Sequence, residues 1–524
     1  MNKPLRINIR VDSSTLIGSG HVYRCMAIAE EAIRLGVSVR FIHAQTPGSL
    51  TREILKGVFE EIEIQYGIDD ESRSGIGPEW SNSLQTQDAV AVGGLLSKDF
   101  TEHVLVDHYG LTKTWSQEIQ KYIQADRLLF IHDQVDALET VNSVHLGFLS
   151  KEEMLDKVLD SSEMGIHESR HLSSCVPMSK AIRLAHLKSS NLDSRTASDS
   201  SIKVLIFLSN SNVEFLITKL LDSIELLETK KMLRISILQN PEIGKPKRQI
   251  DHKIPFEWVT FSSQSEYIDY MIEQDLVIGA GGVASLERLF LRIPQVVFTI
   301  ADNQLENARS LSSWGILEWL GDLRELPITE VAGLLAPAIE NPALLRQKSD
   351  NGALFVDGLG SRRIVQLLTK SKITNLSLRP ADFADASTVY LWNNEVQSRQ
   401  NSITRSVISP NSHLEWFERY TLEAQTGSRL FVVEDDYGPI GQVRFDKQED
   451  DTYLLSYGID SVFRGQGLGK GVVSLGLKVH KAQVPNAKYR AMAKRSNFAS
   501  TRTLESLSFR EVENHGDFIE YELK

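Results

Sequence analysis

The sequence predicts an α/β protein: two parallel, doubly wound domains followed by a smaller α+β domain. Three observations carry this. The first 45 residues run strand, glycine loop, helix, strand: "LRINIRVD", "IGSGH", a helix from about His21 to Leu35, then "VSVRFIHA". That order opens a parallel sheet. The same alternation restarts at "IKVLIFLS", directly after a serine-rich stretch. From about residue 374 the pattern changes, and "RLFVVEDDYGPIGQVRFDKQEDDTYLLSYGID" reads as antiparallel strands joined by Gly, Pro and Asp turns.

In chain order, "HVLVDHYG" and "RLLFIHD" continue the first sheet, each ending in polar residues. Ligands of such sheets gather at the carboxyl ends of strands. The first domain spans 1–188. "KSSNLDSRTASDSS" lacks large apolar residues and gives a linker at 189–200. The second domain, 201–370, holds "EFLITKLLDSIELLE" as an amphipathic helix, "LRISILQ" as a strand, and "YIDYMIEQDLVIGAGG" as a helix, a strand and a glycine turn. The third domain spans 374–524 and opens with a strand and helix in "LSLRPADFADASTVYLWNN".

Composition narrows the function. The formal charge of -12 argues against a nucleic-acid footprint, which needs a basic face. It leaves small anions open, because one helix N-terminus can bind a phosphate. Two cysteines, Cys25 and Cys175, make no disulfide framework and point to a reducing cytoplasm. No apolar run reaches the length of a membrane span, and the N-terminus lacks a signal-peptide core.

The opening loop poses a choice between an anion cradle and a general base. Gly18 and Gly20 let the backbone turn sharply and approach a ligand closely. The helix beginning near His21 offers free N–H groups and the positive end of its dipole. That dipole disfavours imidazolium and keeps His21 neutral and basic. A glycine–histidine turn standing alone is also a common structural device, and a single GxG is weak evidence.

Three separated stretches sharpen the reading. "RVDSSTLIGSGHVYRC" supplies Arg10, Asp12, Ser13, Ser14, Ile17, Gly18, Gly20, His21, Arg24 and Cys25; "VDHYG" covers Val106 to Gly110; "GAGGVASLERLFLRIPQVVFTIADNQLENA" supplies Gly279, Gly281, Gly282, Glu287, Arg288, Pro294, Asn303 and Gln304. In this order they resemble the pseudaminic-acid-pathway nucleotide-sugar hydrolases, whose fold is similar to the two-domain GT-B glycosyltransferases. The resemblance implies two Rossmann-like domains in a GT-B arrangement. It also implies release of UDP from a UDP-2,4-diacetamido-2,4,6-trideoxy sugar by water, with inversion and without a metal. On that reading His21 is the base, Asp12 orients His21 or the water, and Gly281 and Gly282 face the diphosphate. Glu287 then accepts from the ribose hydroxyls, Asn303 and Gln304 line the nucleotide, and His108 and Tyr109 contact the sugar, although Tyr109 serves equally as packing. Two stretches depart from the family. "FLSNSNVEF" (207–215) lacks a Gly-Gly turn, and "IHDQVD" puts His132 and Asp133 where an Asp-Asp stretch is usual.

The third domain carries its own signal. In "YGIDSVFRGQGLGKGVVSLGLKVH", Arg464, Gly465, Gly467, Gly469 and Lys470 stand between an antiparallel strand and an apolar helix. Such a turn aims backbone N–H groups at a pyrophosphate. The stretch resembles the acetyl-CoA motif of the GNAT acetyltransferases, an α+β fold, and "NFASTRTLESLSF" continues it through Asn497, Ser500 and Phe509. Leu504 stands where that family often has a tyrosine acid, and Ser508 where glycine is usual; Tyr457 and Glu505 are the other candidate acids. "LWNNEVQSRQNS" and "ISPNSHLEWF" resemble acetyltransferases of UDP-4-amino-4,6-dideoxy sugars. Trp392, Asn393, Asn394, His413, Trp416 and Phe417 fall on their acceptor side, with core packing the competing role for Trp392, His413 and Phe417.

Together the resemblances imply a bifunctional enzyme: acetyl-CoA-dependent acetylation of a UDP-linked amino sugar, then removal of UDP. A glycosyltransferase fused to an acetyltransferase, or a non-catalytic nucleotide-sugar module beside an active acetyltransferase, are the alternatives.

Overall fold

The computed structural model describes residues 3–13, 19–45, 48–65, 80–132, 142–159, 170–171, 173–189, 201–208, 213–238, 252–421 and 427–523. Ser14, Ile17, Gly18, Asp133, the 190–200 part of the linker and residues 209–212 lie outside them.

The first sheet has seven strands: β1 (Leu5–Val11), β2 (Ser38–Ala44), β3 (Glu61–Ile64), β4 (Thr101–Asp107), β5 (Leu128–His132), β6 (Ser143–His145) and β7 (Arg170–His171). Their order is β3-β2-β1-β4-β5-β6-β7, and every neighbouring pair is parallel. The chain reverses its winding between β1 and β4, so the crevice beyond their carboxyl ends is the place for a ligand. The strands are buried on both faces, as parallel strands are; Ile9, Phe41 and Val106 are each fully covered, worth about 1.5–3 kcal/mol apiece.

The helix Gly20–Arg34 follows β1. It buries His21, Arg24, Cys25, Ile28 and Ala32, spaced three or four apart along one stripe. Gly36, at φ +77°, ends it in the left-handed conformation that glycine adopts without strain.

The second sheet has six strands: β8 (Ser201–Phe207), β9 (Met232–Leu238), β10 (Phe256–Val259), β11 (Leu276–Ala280), β12 (Gln295–Thr299) and β13 (Glu318–Asp322). Their order is β10-β9-β8-β11-β12-β13, again all parallel, with its switch between β8 and β11. The helix Gly360–Thr369 returns from this half to pack on Gly20–Arg34 of the first.

The third sheet is mixed: β14 (Ser377–Pro380), β15 (Arg429–Asp435), β16 (Gly438–Lys447), β17 (Thr452–Ile459), β18 (Lys488–Lys494), β19 (Phe509–His515) and β20 (Phe518–Leu523). In the order β14-β15-β16-β17-β18-β20-β19 all neighbours are antiparallel except β17 and β18. The fold class is therefore two Rossmann-like domains followed by an α+β domain. Two compact units result, Met1–Lys151 with Met164–Thr369, and Glu152–Glu163 with Lys370–Lys524. Within the second unit, Gln400 Nε2 donates to the Lys157 carbonyl at 2.9 Å. No helix among the described residues is long and apolar enough to cross a membrane.

Candidate active sites

β1 and β4 bring two carboxylates to their shared carboxyl edge, Asp12 just past β1 and Asp107 at the end of β4. They hold different partners. Asp107 Oδ1 lies 2.5 Å from His21 Nδ1, and its two oxygens accept from Arg24 Nη2 at 2.6 Å and Nε at 2.5 Å. Burial alone would raise the Asp107 carboxyl, but Arg24 and His21 beside it outweigh that and hold it well below the usual carboxylate range. An ionised carboxylate can only accept, so His21 Nδ1 is the donor, and in the neutral ring that leaves the lone pair on Nε2. This is the arrangement in which a carboxylate fixes an imidazole as a base. The edge of the Tyr109 ring packs on His21 at a centroid distance of 4.6 Å.

Asp12 belongs to a second network. It accepts from Arg10 Nη1 at 2.7 Å and Nη2 at 2.9 Å, from the Ala44 N–H at 2.8 Å, and lies 3.0 Å from His108 Nε2. Arg10, wholly buried, also donates to Asp88 at 2.7 Å, and Trp115 Nε1 reaches the same carboxylate at 2.7 Å. Burial opposes the charge on Asp12, yet Arg10 and His108 hold its carboxyl well below the usual range.

Two expectations are corrected here. Asp107, not Asp12, is the carboxylate on His21. His108 is tied up within the protein: its Nδ1 accepts from the Gly110 N–H at 3.0 Å and its Nε2 meets Asp12, so it offers a sugar no free ring nitrogen. Asp107 stood inside the quoted "VDHYG" stretch, where its place at a strand end was the available signal. Asp88 gave none, being one acidic residue in the helix Asn82–Gly94.

In the second half, Gly282 is the N-cap of the helix Val283–Phe290, and no side chain caps it. The Ser285 N–H donates to the Gly282 carbonyl at 2.9 Å, which leaves the N–H groups of Val283 and Ala284 for an anion. Gln304 lies over the turn: a methyl on Gly281 would stand 3.4 Å from its Cβ. Gln304 Oε1 accepts from the Ile300 N–H at 3.0 Å. A side chain at Gly279 would collide with the buried Arg288 guanidinium, which donates to Gln295 Oε1 at 2.6 Å and the Ala280 carbonyl at 3.1 Å. The carboxyl of Glu287, half-buried, has no hydrogen-bond partner among the described residues, and burial pushes it up to about 7 against the pull of Arg288. Asn303 Nδ2 donates to the Tyr109 hydroxyl at 2.9 Å. One hydrogen bond thus links the loops beyond the two parallel sheets, with His21 packed against the same tyrosine.

In the mixed-sheet unit, β17 and β18 pair only from Thr452–Lys488 to Leu455–Ala491, then part, leaving Ser456–Ile459 unpaired on that side. The glycine turn follows. Gly465 and Gly467 have φ of +81° and +74°, with open space where a Cβ would be. Gly467 is the N-cap of the helix Leu468–Gln483, and Lys470 is exposed in its first turn. Gly469 lies beneath Thr503 and Tyr457; a methyl there would stand 3.0 Å from Thr503 Oγ1. An open amide turn beside a parted strand pair fits an extended, pyrophosphate-bearing thioester.

Two further expectations change, those for Arg464 and Trp392, and Asn497 takes a structural role beside its expected one. Arg464 adds no free charge, because it donates to Glu395 at 2.9 Å, Gln397 at 2.6 Å and the Ile459 carbonyl at 2.9 Å, and so braces the loop. Asn497 caps the helix Phe498–Ser506, its Oδ1 accepting from the Ser500 N–H at 3.2 Å. Trp392 is buried with its indole N–H on Asp460 at 2.8 Å, a core residue and not an acceptor contact. His413 is also fully buried, its Nε2 2.8 Å from the Ala386 carbonyl, yet it walls a cavity described below. Leu504 is buried, Glu505 is exposed, and Tyr457 lies in the unpaired part of β17. Among the described residues one cluster, the hairpin side chains Glu513 and His515, both exposed, and Glu520, half-buried, has spacing that could suit a metal.

Residues 375–510 match the acetyltransferase (GNAT) domain, so the chain carries one. Of solved structures, MurG from Acinetobacter baumannii is similar at 13% identity, covering 70% of this chain and 100% of that one with a TM-score of 0.48. An N-acetyltransferase from Staphylococcus aureus Mu50 is similar at 21% identity over 29% of this chain and 98% of that one, TM-score 0.25. A spermidine N-acetyltransferase from Vibrio cholerae, in complex with CoA and spermine, is similar at 17% identity over 28% and 92%, TM-score 0.26. No curated protein matches the chain.

Proposed function

We propose that the chain is a bifunctional nucleotide-sugar enzyme of nonulosonic (pseudaminic) acid synthesis. The acetyltransferase domain transfers acetyl from acetyl-CoA to the amine of a UDP-4-amino-4,6-dideoxy sugar. The two parallel-sheet domains then hydrolyse the UDP-2,4-diacetamido-2,4,6-trideoxy product.

The observation that carries the second step is the His21–Asp107 pair at the switch between β1 and β4. Water attacks the anomeric carbon, its proton passes to His21 Nε2, and the bond from that carbon to the phosphate oxygen breaks, so UDP leaves as an anion. Asp107 stabilises the imidazolium that forms. The turn at Gly281 and Gly282, with the helix behind it, receives the diphosphate. Glu287 takes the ribose, and Tyr109 and Asn303 stand between base and nucleotide. Asp12 and Arg10 act as positioning residues behind that edge.

In the first step the neutral amine attacks the thioester carbonyl, the carbon–sulfur bond breaks, and CoA leaves as the thiolate, which takes up the proton that the nitrogen loses. Tyr457, beside Gly469 in the unpaired part of β17, is better placed to deliver that proton than the exposed Glu505.

Incubation in ¹⁸O-water tests the reading. The full chain with UDP-diacetamido sugar and no other acceptor should release UDP, with the label on the anomeric hydroxyl of the sugar. Label in the β-phosphate, or UDP release that waits for an added sugar acceptor, would reject it.

A further inference from the structure

The acetyltransferase unit contains a cavity of about 320 Å³ walled by Asn393, Arg399, Ser412, His413, Trp416 and Arg444. Side chains alternate along β16. Val443 faces Gly476 and Phe445 stacks on His480, so both point to the helix Leu468–Gln483; Arg444 and Gln442 point to the other face. There Arg444 lies opposite Ser456, the first residue of β17 beyond its pairing with β18. The cavity therefore borders the gap through which a thioester between those strands would present its acetyl group.

Its charge is unbalanced. Arg444 has Asp446 at 2.9 Å and lies over the Trp416 ring, 5.4 Å from its centroid. Arg399 has no carboxylate partner among the described residues. Its Nη2 donates to Ser402 Oγ at 3.0 Å and its Nη1 reaches the Thr404 and Ser406 carbonyls at 3.4 Å, all neutral acceptors, while its buried Nε has no partner among the described residues. Burial, and then the charge of Arg444, hold its guanidinium below the ordinary value. A part-buried cation without a counter-ion is costly, and a guanidinium fork matches a phosphate or carboxylate with two parallel bonds.

We infer that Arg399 and Arg444, with Trp416 as the apolar wall, form an anion site that holds the diphosphate of a nucleotide-linked amine while the amine is acetylated. The nature of the amine rests on the function proposed above; the anion site follows from the cavity alone. The arginines select phosphorylated acceptors over uncharged amines.

The test follows CoA release by the full chain at saturating acetyl-CoA while the UDP-4-amino sugar is varied. Arg399→Gln should raise KM for that acceptor ~10-fold or more, with kcat and KM for acetyl-CoA little changed, and Arg399→Lys should recover part of the loss. An unchanged acceptor KM in Arg399→Gln, or equal loss for uncharged amines, overturns the site while leaving the acetyl acceptor as proposed. A second arm uses inorganic pyrophosphate as a competitor of an uncharged amine. If the wild type ignores the UDP-amino sugar but pyrophosphate competes with the amine, and Arg399→Gln abolishes the competition, the anion site stands and the acceptor assignment falls. Absence of both effects overturns both.

Discussion

The carboxyl edge of the first sheet and the cavity of the acetyltransferase domain both hold charge out of full contact with water, buried in the first and part-buried in the second, and they treat it in opposite ways. At the sheet edge Arg10 lies between Asp12 and Asp88, and Asp107 between His21 and Arg24. In the cavity Arg399 faces Arg444 and meets no carboxylate among the described residues. Closed pairing holds each group in one geometry before any ligand arrives, which suits a base that must be aimed. Open charge leaves donors for a ligand to satisfy, which suits a pocket that must choose its acceptor. Placement of the base is then a property of the apo fold, and selection of the acceptor a property of the complex.

The largest effect that bears on this contrast is expected at Asp107. Asp107→Asn removes the charge that fixes the His21 tautomer, so UDP release should fall on the order of 10²–10⁴-fold, while CoA release from the acetyltransferase continues. UDP release within about twofold of wild type would mean the pairing is structural only.

Next comes Arg10→Met, which strands two buried carboxylates. Breaking a buried ion pair costs about 3–5 kcal/mol, read as a lower denaturation midpoint of the N-terminal unit; a midpoint unchanged within error would show that the network is not closed.

Smaller effects attend Glu287, whose carboxyl lies near 7. It is neutral below that pH and ionised above, and ribose hydroxyls donate best to the ionised form. KM for the UDP sugar should therefore fall as pH rises toward about 7 and level off above it, by at most ~10-fold per pH unit, and Glu287→Gln should flatten the profile. Because the folded pKa is raised, the stability tied to this group is full below its unfolded value and declines as pH rises through about 7. Thermal melts across that window supply the second reading.

The smallest effect is at Ser508. It holds φ +69°, a backbone conformation that favours glycine, and Ser508→Gly should stabilise the acetyltransferase domain by up to ~1 kcal/mol. A loss of stability on that change would contradict the strain.

Much of the fold was legible because it is written locally. Buried parallel strands read as apolar runs that end in polar residues, and the glycines at 465 and 467 occupy the left-handed backbone that their turn demands. Pairings were not legible, because they are made across sequence. His21 and Asp107 are 86 residues apart, and Arg10 and Asp88 are 78 apart. Nothing local distinguishes Asp107 from Asp12 as the partner of the imidazole. Trp392 stood open between ligand contact and core because aromatic residues serve both alike, and only its bond to Asp460 separates the two roles. Nothing in the sequence singles out Arg399, since the absence of a counter-ion has no sequence signature.

The central claim is that one chain holds two separable activities, with His21 serving only the second. The most direct test supplies the full chain with UDP-4-amino sugar and acetyl-CoA and follows CoA and UDP together, in wild type and in His21→Ala. Wild type should release CoA first and UDP after it, and His21→Ala should release CoA at the wild-type rate with almost no UDP. UDP release undiminished in His21→Ala, or CoA release lost along with it, would contradict the account.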